Sequence, residues 1–256
     1  MYEITIRFYE ELNDFLRGYP KKQDIHYSFR GKRSIKDLIE TFGVPHVEVD
    51  LILVNSLSVG FDYSVQDGDR ISVYPMFELL NIKTLSELRD EPLRETSFIL
   101  DVHLGKLAKY LRLMGFDVDY EKYRDDPELA EISMKEKRIL LTRDRQLLMR
   151  KCVDRGMIIR NNKPLLQIVE VLDRLDLWNA VKPFDRCLQC NGLIEYIATE
   201  SEAFAEIREK IPPKVYQWCD EYYRCRNCGS VYWKGSHYEK MIALIEKIES
   251  ERKLKD

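Results

Sequence analysis

Phe98-Ile99-Leu100-Asp101 and Ile139-Leu140-Leu141-Thr142-Arg143-Asp144 are the two stretches whose reading decides the fold. Each is a short, nearly all-apolar strand that delivers a carboxylate at or just past its end. Apolar runs of this kind suit strands covered on both faces, as a parallel sheet requires. In an open parallel α/β sheet, ligands bind outside the carboxyl ends of the strands, so both acids fall where such folds do their chemistry. Carboxylates gathered there suit Mg²⁺ or Mn²⁺, hard cations that take oxygen ligands and act on phosphates.

Around these strands the pattern alternates between apolar runs and helical periods. Strands are expected at 98–101, 117–121, 139–142 and 157–160, and helices at 103–114, 127–137, 145–154 and 164–176. That alternation calls for a parallel α/β domain over residues 97–180. Two acids leave much of a divalent ion's charge uncompensated, so a third is sought among Asp125, Asp126 and Glu128, beside Pro127. Asp126, directly before that proline, is expected to be the helix N-cap. Capping is also the structural alternative for Asp101 and Asp144, since each stands at a strand-to-helix junction. Lys106, Lys109 and Arg112 recur along one helix face opposite Leu104, Leu107, Ala108 and Leu111, the usual signature of a solvated face. Lys106, Arg112, Arg143 and Arg145 are nonetheless the cations expected to contact substrate phosphate near the acids.

Working outward toward the N-terminus, Tyr2–Tyr9 alternates with Ile4, Ile6 and Phe8 on one side. Ile25–Phe29, a short helix capped by Ser34, Leu51–Asn55 and Arg70–Pro75 complete the order β-β-α-β-β over residues 1–77. That order, ending in LILVNSLSVGFDYSVQDGDRISVYP at Pro75, resembles a ubiquitin-like β-grasp domain and the end of small sulfur carriers. Carriers use a free Gly-Gly terminus, whereas here the chain runs on, so a docking module with a protein partner is the expectation, beside the equal alternative of a domain that only aids solubility or folding. Residues 78–96 lose periodicity and read as a linker.

Toward the C-terminus, Cys187-x-x-Cys190 and Cys225-x-x-Cys228 are each followed by a turn residue and a strand. Four thiolates at this spacing close a tetrahedral site with no open position, so a structural Zn²⁺ is expected over a ribbon spanning 181–256. An iron-sulfur centre is the alternative metal. Ser201–Lys210 reads as a helical insertion, and Ser236 with Glu239 as a capping box opening the last helix. Aromatic residues crowd the second knuckle, and one or two exposed rings near Arg224, Arg226 and Lys234 are available to stack unpaired bases.

The chain is 45% hydrophobic and 33% charged with a net charge of −3, a globular composition. Residues 97–180 hold 16 Lys and Arg against 14 Asp and Glu, so any nucleic-acid surface is a local patch. No apolar run reaches the ~20 residues of a membrane helix, and no signal peptide is read, which sets the expectation of a cytoplasmic protein with no membrane association.

DVHLGKLAKYLRLMGFD (101–117), ILLTRDR (139–145), the paired cysteines and WKGSH (233–237) together resemble the Mut-seven C-terminal RNase family, grouped with PIN-like nucleases. The resemblance implies an α/β PIN-like nuclease domain with a β-grasp domain before it and a zinc ribbon after it. It implies Asp101 and Asp144, with Asp125 or Asp126, as acids holding catalytic Mg²⁺ or Mn²⁺. His237 is read either as a cap-region residue or as a substrate contact. Where PIN folds often carry a further acid, this chain has Asn161-Asn162, which would hold a second ion less firmly. The expected function is metal-dependent hydrolysis of single-stranded RNA. The alternatives are a non-catalytic RNA-binding or ribosome-associated protein and, from the N-terminal domain alone, a sulfur-transfer accessory.

Overall fold

A computed structural model describes residues 1–75 and 96–253. The expected linker over 78–96 lies, except for Thr96, outside the described residues. From the N-terminus come β1 (Tyr2–Phe8), β2 (Ile25–Phe29), α1 (Ile35–Thr41), β3 (Val49–Val54), β4 (Leu57–Ser58) and β5 (Arg70–Pro75). The sheet order is β2-β1-β5-β3-β4, with β1 parallel to β5 and the other pairs antiparallel. Alternation buries Ile4, Ile6 and Phe8 on one side of β1, and α1 buries Ile35, Leu38 and Ile39. Ser34 caps that helix, its hydroxyl accepting the Asp37 N–H at 3.1 Å. This is the expected β-grasp order with one added two-residue strand, β4.

The chain then forms β6 (Ser97–Leu100), α2 (Gly105–Leu113) and β7 (Asp117–Asp119). β6 and β7 pair in parallel, so α2 is the crossover that a parallel pair needs. Gly115 ends α2 at a positive φ of +94°. A Cβ there would lie 2.1 Å from the Lys182 carbonyl oxygen, because residues 182–184 run against the end of α2. Lys182 N–H bonds to Met114 O at 2.9 Å, and Phe184 N–H to Leu113 O at 3.1 Å.

Next come α3 (Asp126–Glu136), β8 (Ile139–Thr142), α4 (Arg145–Leu148) and β9 (Gly156–Ile158). β8 and β9 are again parallel, and every residue of both is buried. The helix expected over 145–154 is a single turn. Leu147 and Leu148 are buried, but a continued helix would place Lys151 on the same face, and the chain turns instead.

The last segment holds α5 (Pro164–Arg174), β10 (Ile194–Ile197), α6 (Glu202–Ile207), β11 (Tyr222–Cys225), β12 (Val231–Trp233) and α7 (Ser236–Lys253). β10, β11 and β12 form an antiparallel sheet around Ile197, Ile207, Ile211, Val215 and Tyr222, with Phe204 and Trp233 against them. Most of the crowded aromatic residues therefore serve packing. Glu239 N–H bonds to Gly235 O, which makes Ser236 the first helical residue rather than the cap.

The chain divides into two compact units, one of residues 1–95 with 125–158 and the other of 96–124 with 159–256. Among the described residues no helix is long and apolar enough to cross a membrane.

Gly115→Ala should destabilise the chain by about 3 kcal/mol, since both the left-handed backbone and the Lys182 carbonyl oppose a methyl group. Urea unfolding checks this, and a loss under about 0.5 kcal/mol would show that the 182–184 contact yields.

Candidate functional site

Each expected acid sits where a helix begins. Asp101, 7% exposed, follows β6 and accepts the His103 N–H at 3.2 Å, capping a 3-10 turn over Val102–Leu104. Tyr120 steadies that turn by donating its hydroxyl to Val102 O at 2.9 Å. Asp144 is exposed and caps α4 by accepting the Gln146 N–H at 2.8 Å, while Thr142 Oγ1 accepts the Asp144 N–H at 2.9 Å. The cap of α3 is Asp125, which accepts the Glu128 N–H at 3.0 Å. The cap expected at Asp126 thus falls one residue earlier. Pro127 is tolerated at the second helical position because an N–H there has no intrahelical partner either. Asp101 belongs to one compact unit, and Asp125, Asp126 and Asp144 to the other.

Lys106, Arg143 and His237 are exposed, Lys106 in the first turn of α2 and His237 in that of α7. Two other expected substrate cations have different surroundings. Arg112 is only 6% exposed, and its guanidinium donates to Val118 O, Leu188 O and Gln189 O. Burial lowers its pKa, against the pull of Asp119, Cys187, Cys190 and Asp117. Arg145 donates to Phe15 O and Asp14 O, both at 3.2 Å. These two arginines are struts within the chain rather than phosphate clamps. Asn161 is likewise engaged: its amide and its Nδ2 both donate to Glu170, a carboxylate 5% exposed that also accepts the Arg160 N–H.

The four cysteines of the paired motifs do come together. Their sulfur atoms all lie within 4.8 Å of one another, with Cys187–Cys228 at 3.7 Å and Cys190–Cys225 at 3.4 Å. Four thiolates about 2.3 Å from one tetrahedral ion stand about 3.8 Å apart, so the donor set fits such a metal. The two knuckles share one backbone pattern. Cys187 N–H bonds to Gly192 O and Asn191 N–H to Cys187 O, and Cys225 N–H bonds to Ser230 O and Gly229 N–H to Cys225 O. Asn191 and Gly229 hold equivalent left-handed positions at φ +67° and +66°. Burial pushes the Cys190 thiol up to about 12, whereas its bond to Ser230 draws Cys228 down to about 6. Tyr232, raised by burial and then by its hydrogen bond to Cys187, closes one side at 2.9 Å.

Residues 96–245 match the Mut7-C RNAse domain family, and residues 1–81 match the Mut7-C ubiquitin family. The chain belongs to the Mut7-C RNAse family. No curated protein and no solved structure matches it. It is thus a member of a ribonuclease family with a ubiquitin-like domain in front and a metal-compatible four-cysteine cluster.

Within the Mut7-C RNAse domain, the first knuckle is tied to β7 by two residues, Asn191 and Arg112, for which the sequence suggested no such role. Asn191 Oδ1 accepts the Val118 N–H at 2.9 Å and its Nδ2 donates to Asp117, so one side chain continues the ladder at β7. Arg112 crosses the same junction to the carbonyls of Leu188 and Gln189. The only prior signal was Asn191's place as the turn residue after Cys-x-x-Cys.

Arg112→Ala should weaken metal retention at the cysteines about tenfold or more, because the knuckle carbonyls lose their buried donor, and Arg112→Lys should recover part of the loss. Competition with a colorimetric zinc chelator measures it. Unchanged retention in both variants would show that the knuckle holds its shape without Arg112.

Proposed function

We propose that this Mut7-C protein is a Mg²⁺- or Mn²⁺-dependent ribonuclease of PIN-like type acting on single-stranded RNA, with structural Zn²⁺ in a ribbon closed by Cys187, Cys190, Cys225 and Cys228. The observation that carries the reading is the family membership joined to a repeated design, in which Asp101, Asp125 and Asp144 each follow or flank a parallel strand. Asp101, Asp144 and an acid from Asp125 to Glu128 would hold the catalytic ion. That donor set is all carboxylate oxygen, which suits a hard cation. The ion, when bound, lowers the pKa of a water and offsets charge on phosphate oxygens. The chain's own contribution is to fix the acids and pair the phosphates. Each of Asp101, Asp125 and Asp144 accepts a backbone N–H, which fixes the direction in which its carboxylate is presented. Lys106 and Arg143, exposed beside Asp101 and Asp144 in the sequence, supply positive charge for the phosphodiester.

Single-stranded substrate is supported by rings open to solvent. Tyr123, two residues before Asp125, is 88% exposed, and Tyr196 and Trp218 of the ribbon are 58% and 57% exposed. Such faces stack unpaired bases, which duplex RNA does not offer. Arg224 and Arg226 pair with Glu195, Arg224 also with Glu206, and Lys234 with Glu221, so aromatic faces rather than these cations lead there.

A second reading, a non-catalytic RNA-binding protein, is favoured by the fact that all three acids serve as caps. Asp144→Asn separates the two. Asparagine caps as well as aspartate, so the fold should persist while the charge is lost. Cleavage of single-stranded RNA should fall at least 100-fold, and full activity in folded Asp144→Asn protein would refute the catalytic reading. The two metals should also separate. Brief EDTA dialysis should stop cleavage, and Mn²⁺ should restore it, with zinc content unchanged by atomic emission. Activity that tracked zinc and ignored Mn²⁺ would move the chemistry away from the acids.

A further inference from the structure

We propose that the ubiquitin-like domain is the positioning element of the Asp144 turn, and that Arg145 is the residue through which it acts. The inference rests on the reading of Asp144 as a metal-holding acid. The side chains of Arg145, His46 and Glu48 join residues 1–75 to residues 145–158 by hydrogen bonds to backbone atoms. Arg145, the first residue of α4, donates to the carbonyls of Asp14 and Phe15, with its guanidinium 4.8 Å above the Phe15 ring centre. His46, 3% exposed, places Nε2 2.8 Å from Val153 O and Nδ1 2.7 Å from Glu40 Oε1. Glu48, 2% exposed, accepts the Ile158 N–H at 2.5 Å in β9.

The chemistry of these contacts is that of a permanent joint. A carbonyl only accepts, so the His46 ring presents an Nε2–H to Val153, while its Nδ1 faces the Glu40 carboxyl group. Glu48 is a desolvated carboxylate whose partner is a strand amide in the nuclease region, a charge-assisted bond made without exposed surface. A domain using this face for a separate protein would leave these groups in solvent. Here they are covered by the segment that runs from the Asp144 turn to β9.

Arg145 is the link to function. Its backbone adjoins Asp144, whose carboxylate caps the helix that Arg145 begins. Holding the guanidinium by two carbonyls and a ring fixes the direction in which that turn leaves β8. Arginine suits the task because its fork reaches two carbonyls while its flat face lies on phenylalanine, which a lysine ammonium cannot do. Displacement of an acid by about 1 Å is enough to cost on the order of 100-fold in rate.

The test uses the full chain with Arg145→Ala, Arg145→Lys and Glu48→Gln. Two readouts are taken: amide hydrogen exchange at Gln146 and Ile158, and steady-state cleavage of single-stranded RNA with Mn²⁺. Arg145→Ala should speed exchange at Gln146 about tenfold or more and lower kcat by a similar factor, with KM changed less than about twofold. Arg145→Lys should recover part of both, and Glu48→Gln should speed exchange at Ile158. Should Arg145→Ala fail to fold, Arg145→Lys carries the same test. Unchanged exchange at Gln146 in both Arg145 variants overturns the proposal. So does a rise in KM with kcat intact and a shallower salt dependence, the mark of a phosphate contact. If wild-type protein cleaves nothing with Mg²⁺ or Mn²⁺, it is the acid reading that fails, and exchange at Gln146 alone then decides whether the domain positions the turn.

Discussion

A helix that follows a parallel strand begins with backbone N–H groups that have no partner in the helix, and much of this chain follows from how those donors are met. Asp101, Asp125 and Asp144 each supply a carboxylate oxygen to one of them. A side chain in that role has its first torsions fixed, and it stands at the end of a helix whose dipole favours negative charge. Capping and function are therefore compatible demands on one residue. The cap orients the carboxylate, so a role in the fold does not argue against a role in chemistry.

The same economy of backbone partners governs the C-terminal three-stranded sheet. Its core of Ile197, Ile207, Ile211, Val215 and Tyr222 is small, and a module of this size draws on its neighbours for stability, to which a metal held by the four cysteines would add. Arg112 and Asn191 supply the neighbours. One is a buried cation that ends at the carbonyls of the first knuckle, the other a turn residue that hydrogen-bonds to β7. Four thiolates around a divalent ion leave two net negative charges, and the buried guanidinium beside Cys187 and Cys190 offsets part of them.

Elements with a local signature were legible in the sequence: the alternating strand at Tyr2–Phe8, the Ser34 cap, the paired cysteines and the apolar strands before Asp101 and Asp144. What was not legible depends on partners far along the chain. Arg112 lies in a helical row with Lys106 and Lys109 and reads as a solvated face, yet its carbonyl acceptors are Leu188 and Gln189. Arg145 next to an acid reads as a phosphate clamp, yet its acceptors are Asp14 and Phe15. His46 and Glu48 find their partners in Val153 and Ile158, 107 and 110 positions along the chain. Periodicity reports which face of an element is apolar, and it is silent on a long polar side chain buried by a remote backbone group. The Asp125 cap was missed by one position for a different reason, since proline is acceptable at either of the first two helical positions.

These remote contacts also set apart two residues of the same type that flank one acid. Arg143 and Arg145 flank Asp144, but Arg143 is exposed whereas Arg145 lies over Phe15. A guanidinium whose donors point at fixed carbonyls would have to give up those bonds to bind phosphate, and the bond to the Phe15 carbonyl is part-buried. Phosphate binding by Arg145 therefore carries the cost of breaking those bonds. What lies under a guanidinium, and not its distance in sequence from an acid, thus decides whether it is held within the fold.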